Sequence, residues 1–191
     1  MPRISLVDIA HDLIRENLRS GDIAIDATAG NGHDTLFLAE QISPSGKVYS
    51  FDIQQAALEA THARFRQTKS HECLTLIHAS HAEMSEKIPA RHHGRIRACM
   101  FNLGYLPGGD KRLITRTEST LAALTSASQI LSGQGIMTVI AYPGHAGGDQ
   151  ETIQVKNWCE QLSPEQFKIS IIYGHEPKDS DPRLFLIRKL S

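Results

Sequence analysis

At 191 residues the chain has the length of one ordinary domain with a full hydrophobic core, and its 40% hydrophobic and 21% charged residues exclude a disordered protein. A net charge of −1 excludes a uniformly basic nucleic-acid-binding surface but leaves room for a local basic patch. Three scattered cysteines, the lack of an apolar run of membrane-spanning length and an N-terminus unlike a signal peptide predict a cytoplasmic protein without disulfides.

The predicted elements alternate between helices and strands along the chain. Apolar residues at helical spacing predict an amphipathic helix over residues 5–19, which ends at Ser20-Gly21. Strands are then predicted over residues 22–27, 47–52, 74–79, 95–101, 135–142, 167–173 and 184–189. The helices between them are predicted over residues 34–41, 54–68, 82–87, 116–132 and 149–162, and Ser132-Gly133 is the expected end of the fourth of these.

This order predicts an α/β protein whose mostly parallel sheet carries helices on both faces. Only the loop 174–183 separates the last two strands, so we expect them to pair antiparallel. Five β-α units followed by such a pair give a seven-stranded sheet with an antiparallel last strand, the order typical of Rossmann-like class I methyltransferases. No linker, repeat or low-complexity tract divides the chain, so we predict one domain over residues 1–191.

Polar or hinge residues follow the carboxyl ends of the first five predicted strands. In an open α/β sheet, ligands lie beyond these ends, near the point where the strand order reverses. The residues concerned are Asp26 with the loop 28–35, Asp52, Ser80 with His81, Asn102 with Gly104 and Tyr105, and the run from Tyr142 to His145. An amide side chain such as Asn102 contributes nothing to hydrophobic packing at a strand end. The convergence of these polar residues therefore predicts a ligand site.

The glycine loop and the acid after the second strand resemble the parts of a nucleotide site. Gly30 and Gly32 let the backbone approach a ligand closely, and the next helix offers free N–H groups. Asp52, twenty residues beyond Gly32, can accept hydrogen bonds from both hydroxyls of a ribose.

Two ligand classes fit such a loop, a nicotinamide dinucleotide and S-adenosylmethionine. The dinucleotide pattern G-x-G-x-x-G/A needs a third small residue, whereas Thr35 stands there in this chain. The acids Asp26 and Asp34 beside the loop suit the ammonium and sulfonium of S-adenosylmethionine better than a pyrophosphate. The residues therefore favour S-adenosylmethionine, with the oxidoreductase as the alternative.

Five motifs together carry a family resemblance. They are D-A-T-A-G-N-G-H-D-T, F-D-I-Q, H-A-S-H, N-L-G-Y-L-P-G-G-D-K and Y-P-G-H-x-G-G-x-x-E. In this order and spacing they resemble the tRNA 5-(aminomethyl)-2-thiouridine methyltransferase family, formerly labelled "putative rRNA methylase", from about residue 6 to the C-terminus. The resemblance implies a class I fold, S-adenosylmethionine as the methyl donor and the aminomethyl group of a wobble uridine as the acceptor. The implied partner is the anticodon region of tRNA, and a homodimer stays open.

The resemblance also implies a role for each matching position. The cofactor-binding positions are Asp26, Gly30, Asn31, Gly32, Asp34, Thr35, Asp52, Gln54, Ser80 and His81. Among them the glycine loop holds the methionine part, Asp52 holds the ribose with Gln54 beside it, and Ser80 and His81 flank the adenine. One departure is that no acid follows the third strand, where many methyltransferases bind the adenine amine.

The acceptor side is implied by N-L-G-Y-L-P, which is similar to the N-P-P-Y loop of methyltransferases that act on planar amines. Asn102 is expected to face the transferring methyl and fix the direction of the amine, while Tyr105 stacks on the base. An aliphatic ammonium has a resting pKa of about 10.4, like lysine, so it must lose a proton first. His145 or a water is the expected proton acceptor.

Several other residues are candidate substrate or metal ligands. Lys111, Arg112 and Arg116 directly follow the predicted catalytic loop and are expected to contact the RNA backbone, and Tyr142 is expected to contact the substrate. His78 and His81 have H-x-x-H spacing but no accompanying carboxylates, so we predict no metal site. Methylation of rRNA or of another amine stays open, and Asp52 with Asn102 argues against an RNA-binding protein without catalysis.

Overall fold

A computed structural model describes residues 5–66, 68–104, 115–144, 146–174 and 181–191. Its strands are β1 Ile23–Asp26, β2 Lys47–Asp52, β3 Leu74–His78, β4 Ile96–Asn102, β5 Leu131–Ala141, β6 Phe167–Tyr173 and β7 Arg183–Lys189. Its α-helices are α1 Leu6–Asn17, α2 His33–Ile42, α3 Gln55–Phe65, α4 Met84–Lys87, α5 Thr117–Ile130 and α6 Gly148–Glu160. None of the helices in these ranges is both long and apolar enough to cross a bilayer.

The seven strands form one sheet in the order β3-β2-β1-β4-β5-β7-β6. β7 runs antiparallel to both neighbours, β5 and β6, and the other pairs are parallel. The predicted seven-stranded, mostly parallel sheet with an antiparallel last strand is therefore confirmed. The chain moves outward from β1 to β3 and then returns to place β4 against β1, so the order reverses between β1 and β4. Ligand crevices of open α/β sheets lie at such a point.

Helices cover both faces of the sheet, as the apolar strands require. On one face, α1 and α2 pack against the strands through residues such as Ile14 and Leu38, and Phe65 of α3 joins them. On the other face, α4, α5 and α6 contribute residues such as Leu124 and Val155. Because both faces of the sheet are buried, polar side chains lie at the carboxyl ends of the parallel strands.

Among the predicted bounds that differ from the structure, two concern the start of β5 and the end of β4. β5 begins at Leu131, directly after α5, so Ser132-Gly133 lies inside a strand instead of ending a helix. The strand accommodates these residues because Gln134 adopts a φ of 59° where the register between β4 and β5 shifts. Asn102 is the last residue of β4, paired with Ile140, and not the first residue of a loop. The predicted helix 82–87 begins as a 3-10 turn, His81–Glu83, and continues as α4.

Candidate active site

The glycine loop between β1 and α2 is held on two sides by its neighbours. Gly30 and Gly32 have φ values of 52° and 76°, in the left-handed region that favours glycine. The Ala29 N–H donates to the Phe51 carbonyl (2.9 Å), and the Thr61 hydroxyl donates to the Gly30 carbonyl (3.2 Å). A Cβ on Gly32 would lie 2.8 Å from the Thr61 Cα, so α3 leaves no space for any other residue there.

Asp52, at the end of β2, connects the glycine loop to the start of α3. Its Oδ2 accepts a hydrogen bond from the Gly30 N–H and its Oδ1 accepts one from the Gln54 N–H, both at 2.9 Å. Each carboxylate oxygen has two lone pairs, so each can accept a further hydrogen bond. Asp52 is half-buried, and its remaining lone pairs fit the two hydroxyls of a ribose.

The outer side of the loop is held by an arginine of α3. Arg64 donates from Nε to the Asn31 carbonyl at 2.8 Å, and its Nη2 lies 3.0 Å from His33 Nε2. The half-buried Asn31 therefore lies at the rim of the loop, next to the N-terminus of α2, and not in the core.

Two of the predicted cofactor ligands lie beneath the loop instead of facing a ligand. Asp26 and Thr35 are both 0% exposed. Asp26 accepts hydrogen bonds from the Thr28 N–H (3.0 Å) and the Thr35 hydroxyl (2.5 Å), and Thr35 Oγ1 lies 2.8 Å from Ser50 Oγ. Because no atom of either side chain reaches the surface, the predicted direct contact of Asp26 and Thr35 with a cofactor is corrected to support of the loop from below.

The buried position of Asp26 predicts a pH dependence of stability. Burial, and secondly the nearby charge of Asp34, raises the pKa of Asp26 to about 7. An aspartate of the unfolded chain has a pKa of about 3.9. Between pH 3.9 and pH 7, roughly, the folded state therefore holds a proton that the unfolded state has released. The free energy of unfolding therefore falls as pH rises from about 4 to about 7, by at most about 1.4 kcal/mol per pH unit.

Asp26→Asn is expected to remove this slope and to make the protein more stable above neutral pH. The asparagine oxygen still accepts from the Thr28 N–H, and its amide donates to the Thr35 hydroxyl. Urea unfolding at several pH values measures the slope, and Asp12→Asn on the exposed side of α1 is the control that should keep it. Equal slopes for Asp26→Asn and the native chain would show that Asp26 does not titrate in this window.

The residues after β3 are largely committed to local structure. The Ser80 hydroxyl accepts from the Ala82 N–H (3.2 Å), and the Glu83 carboxylate accepts from the Ser80 N–H (3.2 Å), which is a capping box. His81 is 8% exposed, and its Nδ1–H donates to the Ala27 carbonyl at 3.1 Å. Burial lowers the pKa of His81, so it is neutral. Contact of Ser80 and His81 with the adenine stays a prediction, and the half-buried Ser80 and the backbone are the groups that could make it.

His78 and His81 do not converge on a common point. His78 is exposed and its Nε2 hydrogen-bonds the Ile53 carbonyl at 3.0 Å, whereas His81 is held by Ala27. Within the described ranges, no group of three His, Cys, Asp or Glu side chains could hold a metal ion.

Asn102 lies at the switch point between β1 and β4. Its backbone N–H donates to the Thr28 hydroxyl at 2.8 Å, which joins the end of β4 to the start of the glycine loop. The half-buried side-chain amide makes no hydrogen bond with any residue in the described part of the chain. An unpaired amide at a ligand crevice is available for a ligand, because polar groups in the interior otherwise have partners.

A carboxylate of α6 supports the contact between Gly104 and Thr115. The Thr115 N–H donates to the Gly104 carbonyl (2.8 Å), and the Gly104 N–H donates to the Thr115 hydroxyl oxygen (3.0 Å). Glu151 then accepts from the Thr115 hydroxyl (2.8 Å) and the Thr120 hydroxyl (2.7 Å). Glu151 is the last residue of the motif Y-P-G-H-x-G-G-x-x-E, and its role was not predicted from the sequence.

The structure describes only some of the remaining predicted residues. Outside the described residues lie Tyr105, Lys111, Arg112 and His145. Tyr142 follows β5 half-buried, and burial with the nearby charge of Asp34 raises its pKa. Arg116 is exposed at the start of α5. Asp34 itself, at the start of α2, hydrogen-bonds His11 of α1 at 2.7 Å, a residue that sequence reasoning missed.

Known proteins resemble this chain in sequence and in structure. The family described as "Putative rRNA methylase" matches residues 48–188. A "tRNA (mnm(5)s(2)U34)-methyltransferase, chloroplastic" of Arabidopsis thaliana is 39% identical over 157 residues, which are 78% of this chain and 57% of that protein. The chain thus spans just over half the length of this relative.

Two solved structures are similar over nearly the whole chain. The "putative rRNA-methylase" from Clostridium thermocellum has a TM-score of 0.92 and 33% identity, with all of both chains covered. A "putative methyltransferase" from Streptococcus mutans, solved "in complex with SAH", has a TM-score of 0.85 and 32% identity over 98% of this chain and 99% of that chain. The predicted class I methyltransferase fold is therefore confirmed.

Proposed function

This chain belongs to the family described as "Putative rRNA methylase", and on that premise we propose that it transfers a methyl group from S-adenosylmethionine to the exocyclic amine of 5-aminomethyl-(2-thio)uridine at the tRNA wobble position. The Arabidopsis relative, whose name contains this modified position, supports the choice of acceptor. We further propose that residues 1–191 act as one cytoplasmic catalytic domain, which the single sheet and the three free, buried cysteines support.

The observation that carries the proposal is the side-chain amide of Asn102 at the switch point, which has no hydrogen-bond partner among the described residues. On one side of it lie the glycine loop and Asp52, whose free lone pairs suit a nucleoside. On the other side lies Tyr142, at the end of β5. A donor held at β1 and β2 would therefore present its reactive group toward β4, where an acceptor could meet it.

The residues present fit S-adenosylmethionine. The Asp52 carboxylate would hold the ribose hydroxyls, and the backbone of Gly30, Asn31 and Gly32 would hold the methionine part. When bound there, S-adenosylmethionine supplies an electrophilic methyl group on a sulfonium. Asn102 would then accept N–H hydrogen bonds from the substrate amine through its amide oxygen and aim the nitrogen lone pair. Most of the acceleration would come from this positioning.

The proposal is tested with purified protein, S-adenosylmethionine and tRNA that carries the aminomethyl group. We expect nucleoside mass spectrometry to find the aminomethyl uridine converted to its methylated form, with no conversion of tRNA that lacks the aminomethyl group. Ribosomal RNA is the parallel acceptor, and its methylation in place of tRNA would overturn the assignment. Calorimetry with S-adenosylhomocysteine and with NAD separates the methyltransferase from the oxidoreductase.

Asp52→Ala is expected to weaken S-adenosylmethionine binding by roughly 1.5–3 kcal/mol, the scale of lost charge-assisted hydrogen bonds. The substitution also leaves the Gly30 and Gln54 N–H groups without their acceptor, which loosens the loop. Isothermal titration measures the affinity, and Asp149→Ala, an exposed acid of α6, is the control that should not change it. Native affinity in Asp52→Ala would refute the ribose assignment.

The RNA partner predicts an electrostatic phenotype. Lys111→Ala with Arg112→Ala is expected to raise the KM for tRNA and to flatten the salt dependence of binding, while cofactor affinity stays unchanged. Arg91→Ala with Arg95→Ala is the comparison variant. It removes the same charge beside the start of β4, at the amino ends of the parallel strands. If only this second variant loses salt dependence, the RNA-binding patch lies at those amino ends.

A further inference from the structure

A histidine of α1 and an acid of α2 form a pair to which the proposed mechanism gives no role. His11 Nε2 lies 2.7 Å from Asp34 Oδ1, with the two side chains 18% and 9% exposed. Since an ionised carboxylate can only accept, a neutral imidazole in this contact carries its proton on Nε2 and its lone pair on Nδ1. In the described part of the chain, Nδ1 has no hydrogen-bond partner.

The imidazole is held in a fixed orientation from two directions. Its ring stacks on Phe37 of α2, with centroids 3.8 Å apart and planes 3° from parallel, while Asp34 holds Nε2. Arg15 lies over Phe37 as well, with its guanidinium carbon 5.3 Å from the ring centroid. A histidine with one nitrogen bonded to a carboxylate and a basic second nitrogen has the form of a general base.

The pair lies on the acceptor side of the crevice. β4 runs between β1 and β5, so Asn102 at its end lies between the glycine loop and Tyr142. Tyr142 packs against the same apolar cluster that contains Phe37 and residues of α1. Asp34 and Tyr142 are also close enough for the carboxylate charge to raise the tyrosine pKa. The His11–Asp34 pair therefore lies on the α1 and α2 face of the sheet, with Asp34 near Tyr142 at the end of β5.

The proposed reaction needs a proton acceptor at this place. A free aliphatic amine has a pKa of about 10.4, so at neutral pH it arrives as an ammonium without a lone pair to attack with. Among the other acids and histidines that the described residues place at the carboxyl ends of the strands, Asp26, His81 and Glu151 are hydrogen-bonded within the protein. Asp52 is assigned to the ribose, and His33 and His78 hydrogen-bond Arg64 and the Ile53 carbonyl through Nε2.

We infer that His11 is the base of methyl transfer, with Asp34 as its positioning residue, an inference that rests on the proposed function. Nδ1 of His11 takes one proton from the substrate ammonium, and Asp34 stabilises the imidazolium through Nε2–H. The freed nitrogen lone pair forms the bond to the methyl carbon as the carbon–sulfur bond breaks, and that electron pair stays on sulfur as a neutral thioether. The product amine carries the new methyl as a secondary ammonium, and His11 later releases its proton to water.

His11→Gln is the informative variant, because the glutamine amide reaches the position of Nε2 and still donates to Asp34 but has no basic nitrogen. We expect single-turnover methyl transfer to fall about 10²-fold or more, the usual contribution of a general base. The affinity for S-adenosylhomocysteine is expected to stay unchanged. Asp34→Asn should cost less, since it keeps an acceptor for Nε2–H and removes only the charge.

A second readout does not depend on turnover. Nitrogen NMR of uniformly labelled native protein, with the His11 signals assigned by through-bond correlation to the backbone, reports the tautomer and charge of the ring. We expect Nε2–H with a free Nδ1 in the unliganded protein. We expect an imidazolium after addition of S-adenosylhomocysteine and RNA that bears the aminomethyl group, and no change with RNA that lacks this group.

The outcomes separate the inference from the function on which it rests. Native turnover of His11→Gln, an Nδ1–H tautomer, or a ring that stays neutral in the complex each overturns the role of His11 while the methyltransferase assignment stands. Failure of the native protein to methylate aminomethyl tRNA, with His11 in the expected tautomer, overturns the proposed function instead. The NMR arm decides the case in which the glutamine variant does not fold.

Discussion

Asn102→Ala is expected to lower kcat for methyl transfer by about 10²-fold or more, with the fold and most of the affinity for S-adenosylmethionine retained. The backbone of Asn102 makes the contacts that hold this residue in place. Its N–H donates to the Thr28 hydroxyl, and the residue pairs with Ile140 of β5. Truncation therefore keeps these contacts and removes a side-chain amide that has no hydrogen-bond partner in the described part of the chain. The interaction that disappears is one with the substrate amine in the transition state.

Single-turnover kinetics with aminomethyl tRNA and calorimetry with S-adenosylhomocysteine measure the two quantities separately. Asn17→Ala is the matched control, because this asparagine, at the end of α1, donates to the Arg97 and Gln134 carbonyls near the opposite edge of the sheet. It should cost stability and leave kcat unchanged. Near-native turnover of Asn102→Ala would mean that the end of β4 has only a structural role.

Asn102→Asp distinguishes an aiming role from a merely polar one. The aspartate keeps an acceptor oxygen of similar size but adds a negative charge beside the substrate nitrogen. An opposite charge stabilises the ammonium, which is the form that cannot attack. We therefore expect tighter substrate binding together with slow transfer in this variant. Equal kcat for the native chain and Asn102→Asp would show that the charge state of the amine is not set here.

The seven-stranded, mostly parallel sheet with an antiparallel last strand could be predicted from the sequence, because alternating helices and strands and a short last connection leave few topologies. The start of β5 could not, since Ser132-Gly133 is typical of a helix end. Leu131 pairs with Ile96 of β4, and the glycine-rich stretch bulges within the strand. Local propensity indicated a stop, and the tertiary pairing with β4 overrode it.

The positions of Asp52 and Asn102 at the carboxyl ends of β2 and β4 could be predicted, because each follows an apolar strand. Their contacts with a ligand stay predictions. Burial could not be predicted, because the sequence does not distinguish the half-buried Asp52 at the end of β2 from the buried Asp26 at the end of β1. His11 was missed for another reason. Its partner Asp34 lies 23 residues away on another helix, and apolar spacing in α1 gives no signal for such a contact.

Gly32→Ala is expected to lower the free energy of unfolding by about 3 kcal/mol and to weaken S-adenosylmethionine binding as well. The left-handed φ of 76° costs a non-glycine residue about 1–2 kcal/mol, and overpacking of a rigid site costs about 1–3 kcal/mol more. The new Cβ would lie 2.8 Å from the Cα and Oγ1 and 2.9 Å from the Cγ2 of Thr61, which is fully buried. Because the Thr61 hydroxyl donates to the Gly30 carbonyl, a displacement of Thr61 also moves the loop that holds the cofactor.

Gly94→Ala provides the matched control, since it isolates the backbone cost from the contact with α3. Its φ is 72°, nearly the same as that of Gly32, but a Cβ there meets no atom within 4 Å. We expect a loss of only about 1 kcal/mol, from backbone strain alone, and no effect on cofactor affinity. Thr61→Ala added to Gly32→Ala should recover part of the lost stability, because the contacts with the side chain disappear while the contact with the Cα remains. Equal losses for Gly32→Ala and Gly94→Ala in urea unfolding would mean that α3 yields to the new methyl group, and that the close packing of Thr61 does not fix the shape of the glycine loop.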